Sequence, residues 1–113
     1  MLFADEEVRH EFHKSPTLLQ VVCQMLEGEL FNHTYQAYVV GVAKEDTLNL
    51  AVLSIKSMRE SETPDKAVLE HLAFILNERF IRTDKKPTVL LHSDAPTVLT
   101  VQVSGPSDLA RLT

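Results

Sequence analysis

The chain has 113 residues, 44% apolar and 24% charged, enough to build one hydrophobic core and too apolar for a disordered or fibrous chain. Its 16 acidic and 11 basic side chains leave a formal net charge of -5, which opposes binding to a phosphate backbone, so nucleic acid is not an expected partner. The single cysteine, Cys23, excludes an intramolecular disulfide and fits a reducing, cytoplasmic compartment, and no apolar run approaches the ~20 residues that cross a bilayer, so a membrane is not an expected partner either.

The first residues, Met1-Leu2-Phe3-Ala4-Asp5-Glu6-Glu7, carry acid where a secretory or mitochondrial signal carries base, and neither an export signal nor a lipidation motif is expected. Residues 1–14 read as an arm or a short helix, with Asp5 as its cap and Glu6 and Glu7 in the electropositive first turn. Ser15-Pro16 predicts the start of a longer helix, capped by the serine hydroxyl. Leu18, Leu19, Val22, Met25, Leu26 and Leu30 recur at three- and four-residue spacing along its apolar face, with Cys23 among them as a small buried hydrophobe. Gly28 weakens the last turns, and Asn32-His33 marks the exit.

Thr34 to Ala43 is rich in aromatic and β-branched residues and predicts a strand. After the polar Lys44-Glu45-Asp46, Leu48 to Ile55 resumes as a second strand, pairing with the first as a hairpin. Its apolar residues fall at both parities, which predicts a central strand covered on both faces. Arg59-Glu60-Ser61-Glu62 reads as a loop. Thr63-Pro64-Asp65 opens a second helix, whose stripe is Val68, Leu69, Leu72, Phe74, Ile75, Leu76 and Phe80. Thr88 to His92 and Thr97 to Ser104 form a second hairpin around the turn residues Ser93-Asp94-Ala95-Pro96, and residues 105–113 are a tail. One domain over residues 1–113 is expected. It is an α+β two-layer sandwich in the order α-β-β-α-β-β, with a mainly antiparallel four-stranded sheet covered by helices and an additional short N-terminal helix.

Histidines supply most of the reactive side chains. His10 and His13 share a helix face three residues apart, the spacing of two metal ligands, with Glu6 or Glu7 nearby. His71 sits within an apolar helix and reads as a partly buried ring bonded to a neighbour. His92 ends a strand before a turn, a position from which functional groups project, and Asp94 lies in that turn. Ser54, Ser93 and Cys23 lack the surroundings of an activated nucleophile, and Gly28, Gly41 and Gly105 are too isolated to cradle a phosphate. The cations Arg79, Arg82, Lys85 and Lys86 are interleaved with Glu78 and Asp84 and read as a solvated helix end.

Three stretches, Asn77-Glu78-Arg79-Phe80, Leu90-Leu91-His92-Ser93-Asp94 and Val101-Gln102-Val103, together with the segment order, resemble the small zinc D-Ala-D-Ala peptidases of the hedgehog/DD-peptidase type, common among phage cell-wall enzymes. The resemblance covers less than half of the chain. In that family a histidine and an aspartate near the second strand and a histidine in the final strand hold the zinc, and a carboxylate acts as base. Here Val98-Leu99-Thr100-Val101 stands where the final histidine would be, and Ala51-Val52-Leu53 offers leucine in place of the aspartate. The resemblance therefore implies a homologue without catalysis, because no metal is held to polarise a water or a carbonyl.

The expected function is a non-catalytic protein-binding or assembly module, acting through a sheet face, a sheet edge or a helix groove on a protein partner or a second copy of itself. Tyr35, Tyr38, His92 and Asp94 are its candidate binding residues, and no cofactor is expected. The alternative is a zinc-dependent cell-wall hydrolase drawing its ligands from His10, His13, His33 and His92.

Overall fold

A computed structural model describes residues 2–45, 48–59, 63–79, 87–92 and 94–104. The elements run β1 (Leu2–Phe3), α1 (Glu6–His13), α2 (Thr17–Asn32), β2 (Tyr35–Glu45), β3 (Leu48–Ser57), α3 (Lys66–Arg79), β4 (Thr88–His92) and β5 (Ala95–Ser104). The α+β class and both hairpins match the sequence reading, but the sheet has five strands rather than four, in the order β1-β2-β3-β5-β4. It is mixed, since β1 runs parallel to β2 while the other three pairings are antiparallel. A strand of two residues carries no period, so nothing in the sequence distinguishes β1 from the start of an arm. The Glu60–Glu62 loop, Phe80, the cations at 82, 85 and 86, Ser93 and the 105–113 tail lie outside the described residues.

The helix starts are set by local hydrogen bonds. Asp5 caps α1 as expected, its carboxylate accepting the Val8 N–H at 2.8 Å. At α2 the serine cap does not form; Ser15 donates its hydroxyl back to the Glu11 carbonyl, and the Gln20 amide donates to the Ser15 and His13 carbonyls. With α1 ending so close, Ser15 still belongs to its last turn, where a free carbonyl competes for the hydroxyl. At α3 it is Asp65, two residues beyond the expected Thr63, that caps, accepting the Ala67 N–H at 2.9 Å. Between α2 and β2, Thr34 takes a left-handed φ of 65°, an uncommon conformation for a β-branched residue.

All three helices lie on one face of the sheet. Their buried residues, Phe12, Leu19, Val22, Cys23, Leu26, Leu30, Leu69, Leu72, Ala73 and Leu76, form one cluster with alternate strand residues Ala37, Val39, Ala51, Leu53, Ile55, Val89, Leu99, Val101 and Val103. In β2 the alternation slips at a bulge between Val39 and Gly41, so Val42 rather than Gly41 pairs with the inward Ala51. β3 is central, as its composition predicts, but its second face carries no helix: Leu48, Leu50 and Val52 are only half-buried there. Two other expectations fail in the same way. Phe74 leaves the α3 stripe and is 62% exposed, and His71 is exposed rather than partly buried. No helix among the described residues is long and apolar enough to cross a membrane.

Candidate binding cleft and sheet edges

The outermost strands of the sheet are β1 and β4, and the structure treats their edges differently. On β4, Leu90 and Thr88 pair with β5, so Val89 aims its backbone groups away from the sheet. The Asn77 side chain of α3 meets both, accepting the Val89 N–H at 2.8 Å and donating to the Val89 carbonyl at 3.3 Å. An amide side chain carries one donor and one acceptor group in the same arrangement as a peptide unit, so Asn77 stands in for a further strand.

On the other side, among the described residues, β1 pairs with β2 opposite Tyr38 and Val39. Ala4 donates its N–H to the Val39 carbonyl at 3.0 Å, while Met58, next to β3, donates to the Thr34 carbonyl at 2.8 Å. Backbone groups of successive residues alternate between the two sides of a strand, so Tyr35 and Ala37, with the parity of Val39, point to the β1 side, and both residues are buried.

A cleft of about 630 Å³ lies between α2 and the start of β2. Its wall is Met25, Gly28, Phe31 and Asn32 of α2, with Leu2 at one end and Arg79 of α3 near Glu29. Phe31 is 60% and Leu2 46% exposed, an unusual state for two large apolar side chains beside an unfilled space. Arg79 and Glu29 are joined by an ion pair of 3.4 Å that ties α3 to α2.

The four expected binding residues are scattered. Tyr35 points into the core side, almost buried, with its hydroxyl oxygen accepting the Asp65 N–H at 3.0 Å. Tyr38 lies on the helix-free face and donates to Gln36 Oε1 at 2.9 Å. The half-buried His92 is on that same face, its Nε2 within 2.6 Å of the hydroxyl of Thr100, and Asp94 is exposed in the following turn. Tyr35 does line the cleft.

Of the alternative ligand set, His10 and His13 meet in a shallow groove with Glu6, Glu7 and Arg9, while His33 borders a different groove with Arg59 and Asp65. No three His, Cys, Asp or Glu side chains among the described residues come together as a metal site. Cys23 is fully buried, and burial pushes its thiol up from 9.0 to about 12, which keeps it protonated and inert.

Comparison of the chain with protein-family models, curated proteins and solved structures gave no match. The cleft and the two edges are therefore interpreted on their chemistry alone. Phe31 is a cleft residue that sequence reasoning did not name, and Gly28 and Asn77 were named for other reasons, a weak helix turn and the stretch resembling the peptidases. A glycine inside a helix that also carries an exposed phenylalanine one turn on was the signal available for the cleft.

Proposed function

We propose that the protein is a non-catalytic binding module that contacts another protein through the cleft at the start of β2. One observation carries this reading: two exposed apolar side chains, Phe31 and Leu2, border the same unfilled space. Exposed Leu and Phe are common singly, but grouped around a concavity they offer apolar area that a partner removes from water at about 25 cal/mol per Å².

A photo-crosslinking amino acid placed at Phe31 in the full chain, expressed in its native cell, tests this directly. A discrete adduct to another protein is expected at Phe31 and not at Phe74, which is equally exposed on α3. An adduct at Phe74 alone, or none at either position, counts against the reading. Adducts between two copies of the chain, matched by a dimer in light scattering, would turn it into self-assembly. A rise in Tm on adding zinc that disappears in a His10→Ala, His13→Ala double variant would replace it with the hydrolase alternative.

A further inference from the structure

We infer that a second copy of the chain covers the helix-free face of the sheet, in a twofold dimer whose two β3 strands cross face to face in opposite directions. The cleft lies on the helix side of the sheet, so this surface is separate from the one proposed above and does not depend on it.

The argument starts from β3. An antiparallel sheet with one face in water alternates apolar and polar residues, whereas a strand that is apolar at both parities belongs between two covered faces. Leu48, Leu50 and Val52 give β3 the second pattern, yet the helices cover only the side of Ala51, Leu53 and Ile55, and the first three stay half-buried. The pairing extends their surface sideways. Val52 lies between Gly41 and Thr100, with Leu90 beyond Thr100, and Val98 stands beside Ser54 on the same face. Leu90 is 40% exposed. The Thr100 hydroxyl lies 2.6 Å from His92 Nε2 and the Tyr38 hydroxyl donates to Gln36, so a dry cover leaves neither unsatisfied. Strands β2, β3, β5 and β4 offer a footprint of about 20 by 25 Å, and a second copy would bury roughly 1,000 Å² in total, where specific interfaces begin.

Charge selects the occupant and its direction. Among the described strand residues of this face, Glu45 supplies the carboxylate and Lys56 the ammonium, both exposed and at opposite ends, since Glu45 pairs with Leu48 while Lys56 pairs with Gln36. A face with an apolar centre and opposite charges at its ends is complementary to itself turned end over end. A twofold axis across the strands at Val52 brings each copy's Glu45 beside the other's Lys56, sets Val52 on Val52 and places Leu50 over Ser54. An axis along the strands would instead bring like charges to the same end. Although the chain carries a net charge of -5, this face balances one acid against one base, so two copies meet here without repulsion.

Sedimentation equilibrium of the full chain from about 1 to 500 µM should show a monomer–dimer equilibrium. Val52→Thr keeps the branched shape but not the apolar area, and it should weaken the dimer at least about tenfold with an unchanged far-UV CD spectrum. Lys56→Glu and Glu45→Lys should each weaken self-association, and an equimolar mixture of the two should regain wild-type affinity as a heterodimer, because both end contacts then join opposite charges. A strict monomer overturns the inference, as do a dimer indifferent to Val52→Thr and charge variants that prefer themselves to each other. A chain that dimerises only once residues 105–113 are removed would make that segment the native cover instead of a second copy. A dimer that Phe31→Ser abolishes and Val52→Thr spares would assign self-assembly to the cleft and remove it from this face.

Discussion

The two edges of the sheet meet the same physical problem and answer it differently. At β4 one side chain, Asn77, takes both outward backbone groups of Val89, and the edge is closed from within the molecule. At β2 a strand of two residues pairs with Tyr38 and Val39, and the buried Tyr35 and Ala37 lie beside a cleft with exposed Phe31. An unpaired edge risks indiscriminate pairing, so folds cover their edges. Four measurements would break or sharpen the contrast.

The largest effect is expected at the closed edge. Asn77→Leu keeps the bulk of the side chain but strands the Val89 N–H and carbonyl, which are nearly buried. Urea unfolding should show a loss of about 2–3 kcal/mol, and light scattering should show association that grows with concentration as this edge becomes open. An unchanged stability would mean that Asn77 is dispensable and that the asymmetry between the edges carries no meaning.

Next is the wall of the cleft, α2, through Cys23. The folded thiol titrates near 12 and the unfolded one near 9.0, so between these values only the folded chain holds the proton. Stability is unaffected below pH 9 and falls as pH rises above it, by ~1.4 kcal/mol per unit until the folded thiol ionises. Cys23→Ala should be less stable at neutral pH but lack that component of the alkaline slope, as chemical denaturation at a series of pH values would record.

The cover of β2 by β1 depends on α1, which Asp5 caps. Asp5→Ala should cost about 1 kcal/mol. It should also speed exchange of the Ala4 amide, which bonds to Val39, more than that of any amide in β5. Smallest is Gly28→Ala. Its methyl enters open space on a helix, so thermal unfolding should show a gain of about 0.5–1 kcal/mol. A loss instead would mean that the wall of the cleft has no room for a methyl.

Much of the fold was legible because its signals are local. The Asp5 cap, the apolar face of α2 with Cys23 in it, and the alternation that separates Leu99, Val101 and Val103 from Val98, Thr100 and Gln102 all follow from residues within a few positions of one another. The site was hardly legible. Tyr35 is marked by an aromatic ring that the core absorbs, whereas its place in the wall of the cleft has no signature in residue type. Asn77 was visible only as a polar residue at the margin of a helix stripe, since its partner Val89 is twelve positions away across a loop. The misplaced caps at Ser15 and Thr63 arose where two candidate groups lie within two residues or a neighbouring helix end competes.

The order of residue types by itself determined the helices, the two hairpins and the residues that must leave water, because capping, alternation and three-to-four spacing act over a single turn or a single pair of strands. Only the tertiary structure decided that β1 joins in parallel, that one face of the sheet stays without helices, and that one edge is closed by Asn77 while a cleft lies beside the other at Gly28 and Ala37. Those outcomes depend on which distant segments compete for the same backbone groups and the same apolar surface. That competition is settled in space, between residues that no short stretch of sequence brings together.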